Sequence, residues 1–161
     1  MKYDIAVLIG KFQVWSNTDN ELANFAATHA STLAVLCSSY SENRTKTNPL
    51  LFVEQQRIIG ANIKNIGIPY EILPLPDDDN KETYRTLITQ QIEIAAQEMY
   101  ISSSPNVVFI GTESKEEYLS GLLSDKNYIQ CKKIKNEVDV VEKLTTMKAL
   151  VDMFQMKHFH L

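Results

Sequence analysis

Apolar residues along this chain follow two alternating rhythms. Short runs rich in β-branched residues predict strands: "DIAVLI" at 4–9, "TLAVLCS" at 32–38, "YEILPL" at 70–75, "NVVFIG" at 106–111 and a weaker "YIQCKKI" at 128–134. Between these runs, apolar positions recur every three or four residues, the period of a helix with one buried face. Leu22, Phe25, Ala26, His29 and Ala30 predict one helix over about 20–30, and Phe52, Gln56, Ile59 and Ile63 a second from about Leu51, with Gly67 past its end. Ile88, Ile92, Ala95 and Met99 predict a third over about 81–100. A short helix over about 114–123 and a last one carrying Val140, Leu144, Met147, Val151 and Phe154 complete the pattern. Strands alternating with helices over short connections predict an α/β fold, a parallel sheet covered on both faces. In such sheets ligands bind beyond the carboxyl ends of the central strands. The runs ending at Gly10 and Gly111 are the expected central pair, so chemistry is sought there.

Composition narrows the function classes. The 161 residues are one domain's worth, taken as 1–161, and 44% apolar with 22% charged residues excludes a disordered chain. No apolar run reaches the roughly 20 residues of a membrane span, and the N-terminus lacks a small-residue cleavage pattern. A net charge of −4 argues against nucleic acid as a partner, leaving only local basic groups such as Arg44, Lys46, Lys132, Lys133, Lys135 and Lys148. Cys37 and Cys131 fall in or beside apolar runs, where buried free thiols are expected. That implies a reducing, cytoplasmic compartment.

The loop "GKFQVWSNTDNEL", Gly10 to Leu22, is neither a Walker A motif nor G-x-G-x-x-G. Trp15 is read two ways, as a ring stacking on a base or as an apolar plug over the loop. Arg44 and Lys46 reach a phosphate chain or lie in a solvated loop. Thr145 and Thr146 cap a helix and present amides to phosphate, unless the helix begins at Val140 and places them mid-helix. His29 reads as a packed histidine, His158 and His160 as a tail without a third metal ligand, and Asp77 to Asp79 as a solvated loop.

The same loop resembles the first motif of the nicotinamide mononucleotide (NMN) adenylyltransferases, of the HxGH nucleotidyltransferase superfamily, in the archaeal and Nudix-fused bacterial type. That family reads Gly-Arg-Phe-Gln-Pro-Phe/Leu-His-x-Gly-His after its first strand. Gly10, Lys11, Phe12 and Gln13 keep the opening; Ser16 falls at the first His, Thr18 at the Gly and Asp19 at the second His. "RTKTNP", Arg44 to Pro49 with Asn48, is similar to the segment after the second strand, and "VEQQR" to a Glu-Glu-Arg helix start displaced by one residue. "NVVFIGTESKEEYL" resembles the fourth-strand motif, with Gly111 kept, Thr112 for its His and Lys115 for its Lys with a shift. "LTTMK" resembles the helix start that grips ATP phosphates, with Thr145, Thr146 and Lys148 for its Arg. The likeness spans roughly residues 3 to 155. It implies a single Rossmann-like nucleotidyltransferase domain, five parallel strands in order 3-2-1-4-5, and a homo-oligomer.

The resemblance implies transfer of adenylate from ATP to NMN, giving NAD and pyrophosphate. Such chemistry needs donors and cations held against phosphate oxygens. On that template Lys11, Ser16, Asp19 and Lys148 are the candidate catalytic residues. Gly10, Phe12, Gln13, Trp15, Thr18, Arg44, Asn48, Gly111, Thr112, Lys115, Thr145 and Thr146 are the candidate nucleotide contacts. Asp19 brings the wrong charge, Ser16 is short and neutral, Thr18 adds a branch, and Lys148 lacks the guanidinium fork. Losing one preorganised donor costs roughly 10²–10³ in rate. Two readings stay open. One is a degenerate relative that binds ATP, NMN, NAD or a protein partner. The other is an active enzyme with a rebuilt lysine site and Mg²⁺, for which Asp19 is a candidate ligand.

Overall fold

The computed structural model describes residues 2–38, 49–102, 104–112 and 127–131, the backbone alone for 127–130. Strands β1 (Tyr3–Gly10), β2 (Ala30–Ser38), β3 (Tyr70–Leu75), β4 (Val107–Gly111) and β5 (Asn127–Gln130) form one parallel sheet in the order β3-β2-β1-β4-β5. Helices α1 (Asn17–His29), α2 (Phe52–Ile63) and α3 (Lys81–Glu98) connect them. This is an α/β, Rossmann-like fold with the expected strand order. The helices expected at 114–123 and from Val140 onward lie outside the described residues.

The continuous apolar runs have the cause inferred from them: each central strand is buried on both faces. Ala6 and Leu8 of β1, with Leu33, Val35 and Cys37 of β2, meet Leu22, Ala23 and Ala26 of α1 and Ile59 and Ile63 of α2. Their neighbours Ile5, Val7, Ala34 and Leu36 face the other way, onto Tyr84, Ile88, Ile92 and Ala95 of α3. The period of two in the strands and the period near 3.6 in the helices thus build two cores, one on each side of the sheet. Both cysteines are free and buried, and burial pushes the Cys37 thiol up to about 12. No helix among the described residues is long and apolar enough to cross a membrane.

Local chemistry sets the element ends. Asn80 caps α3, its side-chain oxygen accepting from Glu82 N and Thr83 N at 3.0 Å each. Asp78, from the acidic run read as solvated, accepts from Asn80 N and so shapes that cap. Gly67 closes the turn after α2 at φ +89°, a conformation that penalises a side chain. Pro74 is tolerated inside β3 because β3 is an edge strand, and its carbonyl accepts from Gln91 Nε2 of α3.

At the sheet's centre the two ladders of β1 have different lengths. The β1–β2 ladder continues to Gly10 opposite Cys37, whereas the β1–β4 ladder joins Ile5–Val7 to Val107–Phe109. The paired register of β1 with β4 thus ends earlier than that with β2, and Gly10 and Gly111 lie at the carboxyl ends where strand order reverses, the place where sheets of this kind bind ligands.

One carboxylate tests the electrostatics of the periphery. Burial, and then the neighbouring Glu98, push the Glu71 carboxyl above its ordinary range. A folded-state pKa raised in this way favours the fold below the unfolded carboxylate pKa, and that advantage is lost as pH rises through the raised value. Glu71→Gln should therefore raise the thermal unfolding midpoint at neutral pH and give no gain in acid below the carboxylate range. An equal gain at both pH values would show that charge is not the cause.

Candidate functional site

The loop leaving β1 is held from two directions by buried glutamines. Gln13, 2% exposed, accepts at Oε1 from the backbone N–H of Leu50 at 2.7 Å. Gln55 of α2, 1% exposed, donates from Nε2 to the carbonyls of Lys11 at 2.6 Å and Phe12 at 3.1 Å. The two carbonyls fix the Gln55 amide orientation, because only its NH₂ end can meet them. Its Oε1 is buried with no hydrogen-bond partner. Phe12 sits at φ +46°, in the left-handed region that bulky residues avoid, and its ring packs 5.2 Å from that of Trp15.

This geometry puts Gln55 on the buried face of α2, where the apolar period had placed Gln56. Gln55, Ile59 and Ile63 share the buried face of α2, while Arg57 is exposed. Helical spacing alone carried that signal: positions 55, 59 and 63 lie on one face, and 57 lies opposite.

Next comes the start of α1. Ser16 is its N-cap, and Asp19 is the third helical residue. Asp19 N donates to Ser16 Oγ at 3.3 Å, while the Asp19 Oδ2 atom accepts from Ser16 N at 2.9 Å and from Ser16 Oγ at 3.1 Å. This reciprocal pair is a capping box, and it places a carboxylate where the helix dipole favours one. Asp19 is 2% exposed. The expectation of a carboxylate aimed at substrate phosphates is therefore corrected: Oδ2 is turned back onto the loop that precedes the helix. Oδ2 thus already receives two protein hydrogens. Among the described residues, no group of three His, Cys, Asp or Glu side chains could hold a metal ion.

The other candidates divide clearly. Gln13 serves as a backbone clasp, its Oε1 accepting from Leu50 N. Trp15 takes the plug role rather than the stacking one: it is 8% exposed, belongs to the core, and donates from Nε1 to Asn20 Oδ1 at 2.6 Å. Phe12 likewise is core, 3% exposed. Thr18 is half-buried in the first turn of α1, where a Cβ is well accommodated. Lys11 is exposed just past Gly10 at the end of β1, and Gly111 and the buried Thr112 stand at the end of the neighbouring strand. His29 is a packed histidine, its ring 4.3 Å from that of Phe25 and its Nδ1 2.9 Å from Phe25 O. Arg44, Asn48, Lys115, Thr145, Thr146 and Lys148 lie outside the described residues, as do Lys46, His158 and His160. Gln55 and Asn20 are the site-shaping residues that sequence reasoning missed.

No protein-family model matches the chain, and no curated protein matches it. Solved structures do. A bifunctional NMN adenylyltransferase/ADP ribose pyrophosphatase from Francisella tularensis superposes with a TM-score of 0.71 at 18% identity, over 84% of this chain and 39% of that one. The same kind of bifunctional protein from that organism, complexed with AMP and a Mn ion, gives 0.71 at 19% identity, over 84% and 38%. This chain thus spans about two fifths of the length of the proteins it matches. At this identity the likeness establishes a shared NMN adenylyltransferase-like fold.

The clasp and the cap predict different losses. Gln55→Ala orphans two backbone carbonyls in a buried setting and should cost about 1–3 kcal/mol. Asp19→Ala removes one helix cap and should cost about 1 kcal/mol. Urea unfolding of both variants checks the order; a larger loss for Asp19→Ala would overturn this ranking.

Proposed function

We propose that this chain is an NMN adenylyltransferase-like protein that has lost efficient adenylyl transfer and acts by binding a nucleotide or dinucleotide of the ATP, NMN or NAD class, or a protein partner, at the carboxyl ends of β1 and β4. The observation that carries this reading is the Ser16–Asp19 capping box. A phosphate bound at the start of α1 needs backbone N–H groups and a positive dipole end. Here Ser16 Oγ takes the Asp19 N–H, and the Asp19 carboxylate supplies the negative charge. An incoming phosphate would meet an anion already in place, and a low-dielectric site magnifies that repulsion.

No imidazole stands on the loop, because Ser16 and Asp19 fill both positions where the resembling family carries one. The buried positions of Phe12, Gln13 and Trp15 support the same reading, since these side chains hold the loop's shape. Lys11 remains as an exposed cation at the end of β1, suited to a phosphate of a bound nucleotide. It is also the observation that favours the alternative, an active adenylyltransferase with a rebuilt lysine site using Lys11, Lys148 and Mg²⁺.

Two measurements separate the readings. Incubation with ATP, NMN and Mg²⁺ should yield no NAD or pyrophosphate at an ordinary enzyme rate, whereas turnover abolished by both Lys11→Ala and Lys148→Ala would establish the active form. Calorimetry with ATP, NMN and NAD should show binding of at least one, weakened by Lys11→Ala. Binding of none would leave the protein partner as the ligand of this fold.

A further inference from the structure

A concave site lies apart from the carboxyl ends of β1 and β4, in the groove between α1 and α2. It is a cavity of about 270 Å³ lined by Asn20, Ala23, Asn24, Asn62, Ile63, Asn65 and Ile66. Four of these residues are asparagines, and among the described lining residues none is charged. The spacing explains the convergence: Asn20 and Asn24 are one turn apart on α1, while Asn62 and Asn65 are three apart at the end of α2.

Two of the amides have fixed orientations. Asn20 Oδ1 accepts from Trp15 Nε1, so its NH₂ group is the end left to donate. Asn62 Nδ2 donates to the Ile58 carbonyl at 2.7 Å, so its oxygen is the end left to accept. Asn24, Asn62 and Asn65 are exposed on the rim, and Ala23 and Ile63 are buried beneath them.

We propose that this groove binds a neutral, hydroxyl-rich small molecule of the saccharide class. A vicinal diol both accepts and donates, so one hydroxyl takes an Asn20 N–H while its neighbour donates to Asn62 Oδ1. The C–H face of the ring covers Ala23 and Ile63. A phosphate or carboxylate would find no cation among the described lining residues and would set its oxygens against the Asn62 carbonyl. The volume is near the lower end for small-molecule pockets, roughly 300–1,000 Å³, and too small for a packed helix. This assignment stands independently of the function proposed for the ends of β1 and β4.

The chain carries a built-in reporter. Trp15 is its single tryptophan, and its indole N–H is bonded to Asn20. Titration of the full chain with methyl α-D-glucopyranoside should give a saturable change in tryptophan emission and shifts in the asparagine side-chain amide resonances. Glucose 6-phosphate should bind no more tightly. Asn62→Leu should weaken the response roughly tenfold, the size of one lost hydrogen bond, and Asn65→Leu, on the rim, by less, while circular dichroism stays unchanged. If neither emission nor the amide resonances respond to the glucoside, the site is refuted. Unaltered affinity in both variants, or a response to a neutral dipeptide amide in place of the glucoside, would overturn it equally.

Discussion

The course of the loop leaving β1 rests on one side-chain amide. Gln55 reaches from α2 to the carbonyls of Lys11 and Phe12 just where β1 stops being a strand. Those carbonyls can no longer join the sheet ladder, and burial denies them water. Without a donor from α2, the chain would have to leave β1 in another direction. The clasp also explains how Phe12 holds a left-handed backbone. That conformation costs roughly 1–3 kcal/mol for a residue with a side chain, so it persists only where the surroundings over-determine it. Gln55 on its carbonyl, the Trp15 ring at its side and Gln13 clasped one residue later supply that determination. The buried Gln55 oxygen, without a hydrogen-bond partner, is the cost of placing both amide hydrogens on the loop.

The consequences propagate through the next few residues. With Phe12 and Gln13 fixed, Trp15 drops into the core and Ser16 arrives in the extended conformation that an N-cap requires. The helix then starts at Asn17, three residues before the apolar periodicity alone suggested. A hydrophobic period marks where a helix must be buried, whereas a cap marks where its hydrogen bonds begin. The Ser16-x-x-Asp19 spacing contained the second signal.

Strands were legible because burial on both faces leaves little freedom in composition: "YEILPL" is β3 from end to end, whereas the order around the sheet came with the family resemblance. The site was less legible, for a physical reason. Ser, Asp and Gln serve equally as ligand contacts and as partners for the backbone, and a linear sequence does not show which way their dipoles turn. Gln13 and Asp19 look like chemistry when aligned with a catalytic loop, yet both are engaged by main-chain N–H groups within the fold. Gln55 was hidden by its neighbour. Gln56 was read as part of the apolar period, although Gln55 is the residue on the buried face. For polar residues on helices, the face decides more than the identity.

The opening of α1 can meet its electrostatic need in only one way at a time. A helix start with unmet N–H groups and a positive dipole end is a site that a substrate phosphate can complete, so folding there leaves binding energy for the ligand. A helix start that carries its own carboxylate is complete before any ligand arrives, which stabilises the empty protein and removes that energy from the bound state. This chain has taken the second course at the end of β1, where its structural neighbours share the fold. A ligand held at the end of β1, as proposed above, would therefore draw its affinity from elsewhere, the exposed Lys11 included. Holding a nucleotide and reacting it are different tasks: one cation can retain a phosphate, but in-line transfer needs several donors fixed around the phosphorus.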